Sequence, residues 1–128
     1  MGEVRAHVIL ENESDAWLKK APRRIEIDAL VDTGAVMTLI PQDVVEALGL
    51  PLDVTLANEQ KIELPRARFL SLTIGDRQMD TDCLVGPPEC EPLIGQLVLE
   101  RLDLIVDPGR QTLSPRPESP FRPSLKLK

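Results

Sequence analysis

The sequence predicts a mainly β domain, a small closed barrel-like sheet carrying one or two short helices. Three observations predict it: apolar residues alternate with polar ones in several segments, turn residues follow almost every such segment, and only two stretches combine helical spacing with start or stop signals. Many short strands at close spacing fit a barrel better than a layered helix–sheet fold. At 128 residues there is enough chain for one domain, and a domain of this size buries roughly two thirds of the surface its unfolded chain exposes. An apolar fraction of 42% argues against disorder throughout.

Val4, Ala6, Val8 and Leu10 alternate with Arg5 and His7, the pattern of a half-buried strand. Residues 11–24 are mostly polar, with the apolar pair Ala16-Trp17 among them, and read as a long hairpin connection. Ile25, Ile27, Ala29 and Val31 alternate with Glu26 and Asp28 in a second strand that ends at Asp32. After Asp32-Thr33-Gly34, the apolar run 35–40 reads as a buried strand. Pro41 starts a short helix and Gly49 stops it, with Val44, Val45 and Leu48 on its apolar face. Residues 54–56 and 61–64 read as two strands joined through Ala57-Asn58-Glu59-Gln60. Residues 66–74 and 78–85 form a hairpin about Gly75-Asp76. A Pro-rich loop, 86–92, leads into Leu93-Ile94-Gly95 and a second short helix at 96–102. Residues 104–106 and 111–113 close the domain as a hairpin about Asp107-Pro108-Gly109-Arg110. The domain therefore spans 1–114. Residues 115–128, with four prolines and Arg116, Arg122, Lys126 and Lys128, read as a flexible basic tail.

Composition excludes several functions. Fifteen basic against 21 acidic residues give a net charge of −6, the wrong sign for a nucleic-acid partner. Aromatic residues make up 2% and tyrosine is missing, so single strands find no stacking platform. No run approaches the ~20 apolar residues needed to cross a bilayer, and the N-terminus lacks a secretion-signal layout. The expectation is a soluble, cytoplasmic protein with no membrane partner. His7 is the only histidine, and Cys83 and Cys90 are the only cysteines. A structural zinc site wants four ligands at tight spacing, and histidine-based nucleophile pairs run short here. No metal and no cofactor are expected. Cys83 and Cys90 read as reduced and inert, Trp17 as a loop anchor or exposed contact, and Met37 as core.

The informative segment is Ala29-Leu30-Val31-Asp32-Thr33-Gly34-Ala35. An acid at the end of a buried strand costs free energy unless its charge is shared or hydrogen-bonded. Gly34 lets the chain turn and brings an amide near the carboxylate, and the Thr33 hydroxyl offers a brace. Alone, the triplet also fits an ordinary β-turn.

Its surroundings resemble the retropepsin-like aspartic proteases, single-domain relatives of the pepsins. The matching pieces are residues 29–35, Thr38-Leu39-Ile40-Pro41 after them, and Leu93-Ile94-Gly95 further on. The resemblance extends over residues 4–113, and without a flanking polyprotein segment it points to a cellular rather than a viral member. It implies that Asp32 is the catalytic carboxylate, supported by Thr33, Gly34 and Ala35. Thr33 would bond across a dimer, and Gly34 would orient the carboxylate. Leu93, Ile94 and Gly95 would pack beneath the active-site loop. Ala57, Asn58, Glu59 and Gln60 would form the flap, although the family often has a Gly-rich tip there. Only one Asp-Thr-Gly is present. Asp107-Pro108-Gly109 lacks the central hydroxyl and N–H, so the resemblance implies a homodimer pairing two copies of Asp32. Two close carboxylates share one proton and activate a water against a peptide or unfolded protein substrate. Fold does not fix function. A catalytically weak or inactive dimeric protein-interaction module is the alternative, and a thiol redox protein using Cys83 and Cys90 is a third reading.

Overall fold

The alternating segments at the N-terminus become two long strands, β1 (Arg5–Asn12) and β2 (Arg24–Val31), paired antiparallel with Arg5 opposite Leu30 and Glu11 opposite Arg24. Their period-2 pattern turns Ala6, Val8, Leu10, Ala29 and Val31 inward and leaves Arg5, His7, Glu26 and Asp28 outside. The computed structural model describes residues 3–53 and 64–121.

Five further strands complete the main sheet: β3 (Leu39–Pro41), β4 (Leu52–Asp53), β5 (Arg66–Ile74), β6 (Arg77–Gly86) and β7 (Leu93–Ile94). Their order is β1-β2-β7-β3-β6-β5-β4, and β1 also pairs with β5 through Ile9↔Thr73 to Asn12↔Leu70. That pairing closes six strands into a ring with β4 outside it. The expected closed sheet therefore forms. Leu10, Ile40, Leu70, Leu72 and Ile94 fill its interior with Leu48. β8 (Leu104–Asp107) and β9 (Thr112–Pro115) make a separate two-stranded sheet.

Three short helices occur among the described residues: α1 (Glu13–Trp17), α2 (Gln42–Leu48) and α3 (Gln96–Leu102). One or two were expected, at α2 and α3; α1 lies in the segment read as a plain connection. Asn12 caps it, accepting from the Ser14 N–H at 2.9 Å, while its own amide donates to Leu48 O at 2.8 Å. One buried side chain thus ties the start of α1 to the end of α2. Pro41 is the N-cap of α2 rather than a residue within it, and Gly49 ends the helix at φ 68°, where a side chain would be strained.

The run 35–40 is not one buried strand. Only Leu39–Pro41 is extended in a ladder, and Val36 is 65% exposed. The carbonyls of Ala35 and Val36 accept from the N–H groups of Gln96 and Leu97, at 2.7 and 3.1 Å. They serve the first turn of α3 instead of a neighbouring strand. Met37, expected in the core, is half-buried. The expected strands 54–56 and 61–64 fall outside the described residues except for Leu64, which is not in a strand.

The boundary drawn after residue 114 falls inside β9, and residues 116–121 beyond it lie against the domain. The Arg116 N–H donates to Asp103 O at 3.1 Å, and its guanidinium pairs with the Asp103 carboxylate at 2.7 Å. Arg77 donates to the carbonyls of Leu102, Asp103 and Ser119 and stands 5.0 Å over the Phe121 ring.

Candidate active site

Asp32 follows directly on β2, where the strand leaves the sheet. β2 runs parallel to β7 with Leu30 opposite Leu93 and Val31 opposite Ile94. The ladder reaches the acid itself: the Asp32 N–H donates to Ile94 O at 3.0 Å. Its carbonyl accepts from the Ala35 N–H at 3.1 Å, and its Oδ1 accepts from the Gly34 N–H at 2.9 Å. Backbone on both sides and one carboxylate oxygen are therefore fixed, while Asp32 remains half-exposed. Thr33 and Gly34 are exposed at the turn, and Gly34 does so without a positive φ.

Leu93-Ile94-Gly95 sits against this loop. Gly95 is forced by close approach: a β-carbon there would lie 2.6 Å from the backbone of Val36 and Met37. Three successive N–H groups, of Gly95, Gln96 and Leu97, are accepted by Thr38 Oγ1, Ala35 O and Val36 O. The two motifs are thus stitched together by main-chain hydrogen bonds. Thr38, 2% exposed, takes a part that sequence reasoning missed, although it stands within the quoted Thr38-Leu39-Ile40-Pro41 segment. The tertiary partner that gives it meaning is not local.

Leu30 and Leu93 are half-buried register partners, and Leu30 lies two residues before Asp32 on the same side of β2. Arg5, opposite Leu30, reaches Glu91 at 2.6 Å and links β1 to the Pro-rich loop. The Asp43 carboxylate of α2 accepts from the Glu89 N–H at 2.9 Å and fixes the same loop from its other side. Ala57, Asn58, Glu59 and Gln60 lie outside the described residues. An apolar cavity of about 340 Å³ opens between α2, Leu52, Leu64 and Val85, and none of residues 32–35 lines it.

The other chemistry-bearing residues stand apart from this loop. His7 Nε2 lies 2.9 Å from Glu26 on the outer face of β1–β2. Cys83 is buried on β6, and burial pushes its thiol up to about 12. Burial, with Asp43 nearby, also raises Cys90. Thiolates are the reactive form, so both sites are unfavourable for thiol chemistry.

A family model described as gag-polyprotein putative aspartyl protease matches residues 23–101. No curated protein matches the sequence significantly. Among solved structures, the chain is similar to the retroviral protease-like domain of Ddi1 from Leishmania major, at 15% identity and a TM-score of 0.58, over 97% of this chain and 98% of that one. It is also similar to EIAV protease complexed with the inhibitor HBY-793, at 15% identity and a TM-score of 0.52, over 79% of this chain and 88% of that one. At such identities the structural likeness establishes the fold.

Proposed function

Because this chain belongs to the gag-polyprotein putative aspartyl protease family, with a retropepsin-like fold, we propose that it is an aspartic endopeptidase whose active site is assembled from Asp32 of two copies. The observation that carries this reading is the Asp32 loop: a half-exposed carboxylate at a strand end, with one oxygen held by the Gly34 N–H. Each chain has one such loop, so a second carboxylate comes from a second copy.

Two Asp32 carboxylates facing each other share one proton. The ionised member takes a proton from a bound water as it attacks the peptide carbonyl, and the protonated member donates to the carbonyl oxygen. Gly34 holds one oxygen of each carboxylate, leaving the other for the shared proton and the water. The exposed Thr33 hydroxyl braces the opposite loop. Leu30 and Leu93 favour an extended peptide or unfolded protein with an apolar side chain beside the scissile bond. Ala57, Asn58, Glu59 and Gln60 keep the flap role in this reading, and the cytoplasm remains its setting.

Parent and Asp32→Asn proteins, given an unfolded protein substrate across a pH series, test it. The parent rate is expected to rise and then fall across the acidic range, since only the singly protonated pair is active. The variant should fold and dimerise normally yet cleave at least about a hundredfold more slowly. Equal turnover by the two proteins would contradict the proposal. Intact dimers of both with no cleavage by either would favour the interaction module.

A further inference from the structure

Glu11 of β1, Ser71 of β5 and Asp80 of β6 stand in one row across three neighbouring strands, because Glu11 pairs with Ser71 and Ser71 pairs with Asp80. Directly paired residues share a face of a sheet. This face points away from the core, since the fully buried neighbours of Ser71 are Leu70 and Leu72. Ser71 is itself only 3% exposed, and α1 packs on β5 over it. Glu13, the first residue of α1, comes down beside Asp80, close enough for one carboxyl to hydrogen-bond the other once it is protonated. Both border a cavity of about 200 Å³ whose lining holds three carboxylates, with Glu11 the third, and no base. Gln78 borders it too, but its amide donates to Ser71 Oγ.

Among the described residues, neither Glu13 nor Asp80 forms a salt bridge. Asp15 of α1 is turned to Arg23, whose guanidinium it occupies through both oxygens. On the far side of Asp80, α3 presents Glu100 and Arg101, of opposite sign. Two carboxyls hydrogen-bond to each other only when one of them carries a proton. We propose that Glu13 and Asp80 form a proton-dependent clamp: one shared proton seats α1 on the sheet, and losing it drives the two carboxylates apart. The hydrogen bond to Asp80, loss of water and the Asp80 charge together hold the Glu13 carboxyl up at about 7. A raised carboxyl is satisfied on the acidic side, so the clamp is closed below that value and opens as pH rises through it. The clamp does not depend on peptide cleavage.

Trp17 is the only tryptophan and no tyrosine accompanies it. It ends α1 and meets Phe69 edge-on, with ring centroids 4.8 Å apart. Its emission therefore reports the seat of α1 directly. Fluorescence from about pH 5 to about pH 9, a window reaching past the raised carboxyl, should show one transition with a midpoint near 7. The transition should vanish in Glu13→Gln and in Asp80→Asn, each of which carries the test if the other fails to fold. The carbon-13 shift of the Glu13 carboxyl in the parent should titrate with the same midpoint. A flat emission profile with Glu13 titrating at about 4.3 would overturn the clamp. So would a transition that survives Glu13→Gln but disappears in His7→Asn, which assigns it to the imidazole beside Glu26 and Asp28. A midpoint displaced by calcium chloride at constant ionic strength would assign the cavity to a cation and equally overturn the clamp.

Discussion

Asp15 is 1% exposed, and its charge is tolerated because Arg23 meets it three times: Nε and Nη2 at 3.0 and 2.8 Å, and the backbone N–H at 2.9 Å. These bonds, side-chain first, hold the carboxyl down from 3.8 to about 2. A depressed carboxyl contributes stability that is present above its unfolded value and lost as pH falls through the folded one. The urea midpoint of the parent should therefore drop between those two values, and Asp15→Asn should flatten that part of the profile. Glu13, two residues earlier, has the opposite sign, raised from 4.5 to about 7. Its contribution is complete below 4.5 and fades as pH rises through about 7, so the two groups together stabilise most between 3.8 and 4.5. Thr38 carries a different prediction. Thr38→Val removes the acceptor of the buried Gly95 N–H and should cost about 1–3 kcal/mol by chemical denaturation, whereas Thr38→Ser should restore most of it.

At the scale of elements, the contact between the Asp32 loop and α3 is made by backbone, which leaves no room for adjustment. Gly95→Ala must push the backbone of Val36 and Met37 away from α3 and should lower stability by about 1–3 kcal/mol in a denaturant melt, with the Asp32 loop displaced. The long strands were legible because alternation is local: Ala6, Val8 and Leu10 declare their face whatever pairs with them. The Asp32 loop and the Leu93-Ile94-Gly95 segment were legible as short contiguous motifs. What joins them was not. Residues 35–38 are apolar enough for a strand, yet the carbonyls of Ala35 and Val36 are claimed by α3 far along the chain. α1 is five residues long, too short for an apolar stripe, and is held by Asn12 reaching across to Leu48 and Gly49. Its local signal, an Asn cap followed by Glu13 and Asp15, was present but outweighed by the polarity around it.

Over the whole molecule, the β1–β5 pairing closes the ring that positions the Asp32 loop, while residues 116–121 after β9 are fastened to the turn of the β5–β6 hairpin. Arg77→Ala should free residues 116–121, seen as faster limited proteolysis there with the ring intact. Each closed ring still carries a single Asp-Thr-Gly loop, and the proposed enzyme is complete only as a pair. The most direct measurement of that claim is the activity of a fixed amount of parent chain, equilibrated with increasing Asp32→Asn chain. Hybrid dimers would hold one carboxylate and one amide, with no proton-sharing pair. Activity should fall toward zero as parent chains are drawn into hybrids, and without added variant it should scale with the square of chain concentration well below the dimer dissociation constant. Activity linear in concentration at that dilution and indifferent to added variant would contradict a site shared between two copies of Asp32.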